Sequence, residues 1–178
     1  MFRGLVFFLF LFGFSPCFAE IESAYFSGGS FWGIAAFFEY ERGVTKTTVG
    51  YMGGNSSNPT YNEVCSGLTG HSETVEIQFD NTLTDYSTIA KFFFEIHDPS
   101  QKFPQGSQYR SVVFYLNESQ KQTALNLIAQ LKRYGICVVT ELQPAVSFYP
   151  AEEYHQRYYA KKGTSPCRCR KKNYRWDS

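Results

Sequence analysis

The order of the predicted secondary-structure elements is the feature that most restricts what this chain can fold into. Short segments rich in β-branched and aromatic residues alternate with apolar helical stretches, in the order β-α-β-β-α-β up to Tyr115. The predicted elements are, in chain order, 24–27, 31–40, 44–51, 73–79, 86–96 and 111–115. This order is the split βαβ arrangement of ferredoxin-like folds. The sequence therefore predicts an α+β two-layer sandwich, with its helices on one face of the sheet.

Beyond Tyr115 the pattern predicts an extra C-terminal helix and strand. An amphipathic helix is expected over 118–134, a strand over 137–140 and a last short helix over 151–161. We expect one domain over 20–162, followed by a basic, cysteine-containing tail over 163–178.

The first 19 residues have the pattern of a secretion signal. Arg3 supplies a positive start, residues 5–14 form an apolar run too short for a stable transmembrane helix, and Ala19 ends a small-residue cleavage pattern. Residues 1–19 are therefore predicted to direct export and to be removed after Ala19. A lipoprotein signal and a retained anchor are the alternatives.

Charge and cysteine usage narrow the function classes. The formal net charge is +1, too small for the field expected of a nucleic-acid-binding protein. The four cysteines after the signal could form two disulfides, but the 167–169 pair is closely spaced in a basic tail that favours thiolate. Exchange chemistry suits that pair better than a structural bridge. The basic tail itself is either a solvated terminus or a dock for anionic surfaces.

The segment 28–33, GGSFWG, is the strongest candidate for a site of chemistry. Two glycines allow a sharp turn from strand to helix, which places Ser30 at the helix N-terminus, where free amides and the macrodipole favour negative charge. A thiol there would become a nucleophile, whereas a serine there is also an ordinary helix cap.

Six strings in this order and spacing are similar to those of the type A peptide methionine sulfoxide reductases. They are GGSFWG, GYMGG, NPTYNEVCSGLTGHSE, HDP, QYRS and FYPAEEYHQRYY. The resemblance covers residues 24–161 and implies a protein that repairs oxidised methionine by thiol chemistry.

The resemblance implies a mechanism and a set of residues. In that family a cysteine at the position of Ser30 attacks the sulfur of an S-epimer methionine sulfoxide, and the resulting sulfenic acid is resolved by a second thiol and cleared by thioredoxin. The implied roles are a methyl-binding pocket from Phe31 and Trp32, an acid from Glu73, oxygen hydrogen bonds from Tyr61 and Tyr109, and resolving thiols from Cys167 and Cys169. The expected partners are proteins or peptides containing methionine sulfoxide and a thioredoxin-like reductant. No bound cofactor is expected, and the protein is expected to be a monomer.

Each implied role has a plainer alternative. Phe31 and Trp32 could be core aromatics, Glu73 a solvated strand residue, Tyr61 a loop anchor and Tyr109 a strand aromatic. The three histidines have no metal-ligand spacing, so a metal site is not expected.

The chain departs from the family at two places. Ser30 replaces the cysteine, and a hydroxyl cannot cycle through sulfenate and disulfide as sulfur does. The stretch 101–108 is about four residues shorter than the family's loop and has no aspartate. The chain is therefore expected to bind the substrate but to be inactive or impaired in reducing it.

Several explanations of Ser30 remain open at this stage. It is either an engineered replacement or a natural change in a paralogue. Cys65 is a substitute nucleophile if it lies near the same pocket. The alternative to an impaired reductase is a non-catalytic module that recognises oxidised methionine.

Overall fold

A six-stranded sheet organises the fold in the computed structural model, which describes residues 19–166 and 172–177. The elements are β1 (Ile21–Ser27), α1 (Phe31–Phe38), β2 (Val44–Met52), α2 (Tyr61–Cys65), β3 (Ser72–Asp80), α3 (Tyr86–Ile96), β4 (Val112–Tyr115), α4 (Glu118–Arg133), β5 (Glu141–Pro144), β6 (Tyr149–Pro150), a 3₁₀ turn (Glu153–His155) and α5 (Tyr158–Lys162). Residues 1–18 of the predicted signal, and Cys167 and Cys169, lie outside the described residues.

The strand order is β5-β4-β1-β3-β2-β6. Strand β1 pairs antiparallel with both β3 and β4, and β2 pairs antiparallel with β3. The four strands predicted up to Tyr115 therefore have the order 4-1-3-2 of a split βαβ sheet, which confirms the predicted α+β sandwich. Helix α4 then returns the chain so that β5 extends the sheet parallel to β4.

A phenylalanine-rich core lies between the sheet and the helices α1 and α3. Phe26 on β1 is fully buried and stacks on Phe93 of α3, with ring centroids 4.5 Å apart. Phe38 of α1 also stacks on the Phe26 ring, with centroids 6.2 Å apart. Burial of one such side chain is worth about 2–3 kcal/mol, so these rings hold the C-terminal end of α1 against the sheet. Helix α3 covers the predicted range 86–96, and its N-cap is Asp85, whose carboxylate accepts from the Thr88 N–H at 2.7 Å.

The prediction of a strand over 137–140 is wrong. The strand that pairs with β4 begins at Glu141, opposite Val112, which is the first residue of β4. Residues 137–140 lie beyond that end of β4, and the Val139 N–H donates to the Pro99 carbonyl instead. The β-branched composition was correct for an extended chain, but no partner strand extends far enough to pair with it.

Two further local predictions differ from the structure. The helix predicted over 151–161 is broken into the 3₁₀ turn and α5 by Arg157, which has a φ of 50°. The chain after β2, where no element was predicted, contains the short helix α2. It begins with a capping box, in which Thr60 and Glu63 each bond the other's backbone N–H.

The C-terminal segment packs back onto the domain. The Lys172 N–H donates to the Glu95 carbonyl at 2.8 Å, and the Trp176 indole donates to the Glu95 carboxylate at 2.9 Å. Asp177 forms an ion pair with Arg133 of α4. Within 19–166 and 172–177, no helix has the length and apolar character needed to cross a membrane.

Candidate functional site

Two glycines shape the turn that leads from β1 into α1. A Cβ on Gly28 would lie 2.9 Å from the Phe93 ring, so only glycine allows this close packing. Gly29 has a φ of 89°, and its N–H donates to the Tyr109 carbonyl at 3.0 Å. The turn places Ser30 at the N-cap of α1, as predicted, with an exposed side chain.

Glu73, rather than Ser30, caps this helix. The Glu73 carboxylate accepts from the Phe31 N–H at 2.9 Å, whereas the Ser30 side chain makes no capping hydrogen bond. Glu73 comes from β3 and is only 2% exposed, so the prediction that it could be a solvated strand residue is wrong.

Gln108 holds the other oxygen of the same carboxyl group. Its side-chain amide donates to Glu73 Oε1 at 3.0 Å, and its backbone carbonyl accepts from the Glu73 N–H at 2.8 Å. Burial raises the pKa of Glu73 to about 7, and the hydrogen bonds from Phe31 and Gln108 partly oppose that rise. The carboxyl group can therefore be protonated near neutral pH and can donate a proton.

The two aromatic residues after Ser30 have different environments. Phe31 is 1% exposed and belongs to the core, whereas Trp32 is half-buried. The Trp32 ring stacks on Tyr158 with centroids 3.8 Å apart, and its indole N–H donates to His155 Nδ1 at 3.1 Å. Of the predicted methyl-binding pair, Trp32 is thus the ring that solvent can reach.

His155 underlies this aromatic cluster. Because its Nδ1 accepts from Trp32 and burial lowers its pKa, the ring is neutral and carries its proton on Nε2. That N–H has no hydrogen-bond partner among the described residues, and Glu152 Oε2 lies 3.9 Å away. The Tyr61 ring packs on His155, with centroids 4.4 Å apart.

Glu152 ties the aromatic cluster to α2 and the sheet. One of its carboxylate oxygens accepts from the Tyr61 N–H at 2.9 Å, and the other accepts from the Tyr51 hydroxyl at 2.8 Å. The start of α2 is therefore fixed beside the aromatic rings.

Tyr61 and Tyr109, the two predicted tyrosines, lie near Glu73. Burial raises the pKa of Tyr61, with further contributions from its contact with Cys65 and the charge of Glu73. Burial also raises the pKa of Tyr109, again with a contribution from Glu73, although Tyr109 remains 37% exposed. Tyr109 lies in a loop before β4, not in the strand.

Ser30 also borders a cavity of about 550 Å³ between the start of α1 and the end of α3. Pro166 and Lys172, which flank the undescribed segment 167–171, both line this cavity. The predicted resolving residues Cys167 and Cys169 belong to that segment.

The structure therefore brings Ser30, Phe31, Trp32, Glu73, Tyr61 and Tyr109 to one region. Sequence reasoning missed Gln108, Glu152 and His155, although they lie in the QYRS and FYPAEEYHQRYY strings. Within the described parts of the chain, no group of three potential ligand side chains is placed to hold a metal ion.

These features define a class of protein. A protonatable buried acid and two phenols surround a helix start beside a solvent-accessible indole. Such a site can protonate an oxygen atom carried by a small, partly apolar group, as an oxidoreductase acting on an oxidised side chain requires.

The comparisons give the family. The family model described as peptide methionine sulfoxide reductase matches residues 22–177. The peptide methionine sulfoxide reductase MsrA of Nautilia profundicola is 48% identical over 150 residues, which are 82% of this chain and 87% of the relative. The chain belongs to the peptide methionine sulfoxide reductase family, and the match includes the C-terminal segment beyond the motifs.

Solved structures agree with this fold. Methionine sulfoxide reductase A of Corynebacterium diphtheriae has a TM-score of 0.71 and 32% identity, covering 84% of this chain and 78% of that chain. Mxr1 of Saccharomyces cerevisiae, solved in complex with Trx2, has a TM-score of 0.56 and 23% identity, covering 82% and 88% respectively. The second likeness concerns the fold alone.

Proposed function

We propose that this chain binds the S-epimer of methionine sulfoxide in proteins or peptides, at the start of α1. In this arrangement Glu73, Tyr61 and Tyr109 bind the sulfoxide oxygen, and Trp32 contacts the methyl group. The observation that carries the proposal is the buried Glu73, whose pKa is raised to about 7 beside the helix start.

We further propose that reduction at residue 30 is impaired. In reduction by a thiol, sulfur attacks the sulfoxide sulfur while an acid protonates the departing oxygen. The Ser30 hydroxyl is exposed, and no base hydrogen-bonds to it among the described residues. An unactivated hydroxyl is a weak nucleophile and has no sulfenate state to pass to a second thiol.

The reductant and the location form a further part of the proposal. Cys167 and Cys169 act as resolving thiols, and a thioredoxin-like protein regenerates them in a chain that functions as a monomer. Mxr1 of Saccharomyces cerevisiae, whose reduced form is 27% identical to this chain, has been solved in complex with Trx2, which supports this reductant class. Export directed by residues 1–19 would place the protein outside the cytoplasm.

A second candidate function is a non-catalytic module that recognises oxidised methionine. The retained acid and indole beside an exposed Ser30 favour it, because binding needs these groups and not a nucleophile. The two candidates share a binding step and differ in whether any methionine is released.

Two measurements test the proposed function. Calorimetry should show that a peptide with S-methionine sulfoxide binds more tightly than the same peptide with plain methionine. In a dithiothreitol assay, Ser30→Cys should release methionine much faster than Ser30→Ala, which has the same fold without a side-chain nucleophile. Equal or absent binding of the two peptides would contradict the proposal, and binding without turnover in Ser30→Cys would favour the recognition module.

A further inference from the structure

A thiol lies close to Glu73 in the proposed site. Cys65 is the last residue of α2, is a free cysteine and is exposed. The helix is anchored at its other end, where the Tyr61 N–H donates to Glu152 and Thr60 forms the capping box. The position of Cys65 is therefore set by the same residues that build the pocket.

One amide group connects this thiol to the acid. The Gln108 side-chain nitrogen lies 3.4 Å from Cys65 Sγ and 3.0 Å from Glu73 Oε1. Gln108 is buried, and its backbone carbonyl is fixed by the Glu73 N–H, so the bridge is held at both ends.

The phenol of Tyr61 also contacts this sulfur atom. Burial and a neighbouring carboxylate, Glu73 or Glu152, raise the pKa of Tyr61, Tyr109 and Tyr154, and a negative charge at Cys65 would add to this rise. Cys137, the other free cysteine of the described residues, lies in the coil between α4 and β5 and is absent from this set of contacts. The thiol that accompanies the acid is thus Cys65.

We infer that Cys65 supplies the sulfur nucleophile that Ser30 cannot, so that this chain retains a slow reductase activity. The inference rests on the proposed function, because it uses the same substrate site. Cys65 Sγ attacks the sulfoxide sulfur and takes over the oxygen while Glu73 protonates it. The sulfur–oxygen bond of the substrate breaks, methionine leaves, and Cys65 is oxidised to a sulfenic acid.

When an external dithiol such as dithiothreitol replaces the resolving thiols of the tail, it closes the cycle. Its first sulfur attacks the sulfenic acid, forms a mixed disulfide and releases water, and its second sulfur then displaces Cys65 as a thiol. Turnover is expected to be slow, because Cys65 ends its helix and lacks the favourable field of a helix N-terminus.

A single-turnover experiment tests the assignment. The full chain is fully reduced, freed of reductant and mixed with a peptide containing S-methionine sulfoxide. Released methionine is quantified, and dimedone traps any sulfenic acid for localisation by mass spectrometry. The variants are Cys65→Ser, the matched control Cys137→Ser, and Ser30→Cys.

The inference predicts methionine release by the unaltered chain and a dimedone adduct on Cys65. Release should fall by about a hundredfold or more in Cys65→Ser. Cys137→Ser should behave as the unaltered chain does in this first turnover. Circular dichroism verifies that Cys65→Ser is folded, and a second variant, Cys65→Ala, should show the same loss.

Unchanged release in folded Cys65→Ser would overturn the inference. No release by the unaltered chain while Ser30→Cys turns over would also overturn it, yet would leave the proposed function intact. If neither protein releases methionine and neither binds the peptide, the proposed function itself has failed.

Discussion

The two sides of the start of α1 differ in how firmly the structure defines them. On one side Glu73 is buried and bonded to both the Phe31 N–H and the Gln108 amide. On the other side Ser30 is exposed, makes no capping bond and borders an open cavity. Glu73 has a structural role as well as a chemical one, because it caps the helix. The acid's geometry therefore persists without a sulfur atom at residue 30.

The largest expected effect separates these two roles of Glu73. In the Ser30→Cys background, Glu73→Gln should lower kcat by about 10²–10⁴-fold, because an amide cannot protonate the sulfoxide oxygen. The helix should remain capped, since the amide oxygen can still accept from Phe31. Methionine release with dithiothreitol measures the loss, and Glu76→Gln on the same strand is the control. A fall no larger than the control's would show that Glu73 is structural only.

The next effect concerns stability and pH. Because folding raises the pKa of Glu73 from 4.5 to about 7, the folded state holds this proton more tightly than the unfolded state does. The contribution of Glu73 to the free energy of unfolding should therefore fall as pH rises through this window, by about 3 kcal/mol in total.

Chemical denaturation of the unaltered chain and Glu73→Gln at several pH values measures this dependence. As the pH rises from 4 to 8, Glu73→Gln should become more stable relative to the unaltered chain. A difference that is independent of pH would mean that the carboxyl group is not desolvated in solution.

A smaller effect is expected on the indole side of the site. His155→Phe keeps a ring beneath the cluster but removes the acceptor for the Trp32 indole, at 3.1 Å. Loss of one such bond is worth about 1 kcal/mol, so the Kd for a methionine sulfoxide peptide should rise about fivefold. Tyr154→Phe is the control, because its ring also packs on His155 without bonding to Trp32. Equal affinities in all three proteins would place Trp32 outside the binding surface.

The smallest effect probes the C-terminal segment that lines the Ser30 side. Trp176→Phe keeps an aromatic ring but removes the hydrogen bond to the Glu95 carboxylate. A partly exposed bond of this kind should lower the Tm by about 1–3 °C, with no change in peptide affinity. Differential scanning calorimetry measures the shift against the exposed neighbour Arg175→Ala. A change in affinity would instead connect this segment to the binding site.

Much of the fold could be predicted from local patterns. The predicted helix over 86–96 has the same bounds as α3, because a polar capping residue precedes it and its apolar residues form a broad face. The strand over 137–140 was misplaced, since its β-branched residues cannot show where a partner strand ends. The short helix α2 and the break at Arg157 were also missed, because a capping box and a single left-handed residue are weak signals in a short segment.

The sequence by itself determined the family, the split sheet and the placement of Ser30 at a helix start, because ordered motifs and a strand–glycine–helix turn are local patterns. Only the tertiary structure decided that Glu73 caps that helix, that Gln108 joins Glu73 to Cys65 and that His155 holds Trp32. These contacts join residues 35 to 123 positions apart. Their geometry depends on how β3, α1 and the C-terminal segment pack together. A local sequence pattern does not determine that packing.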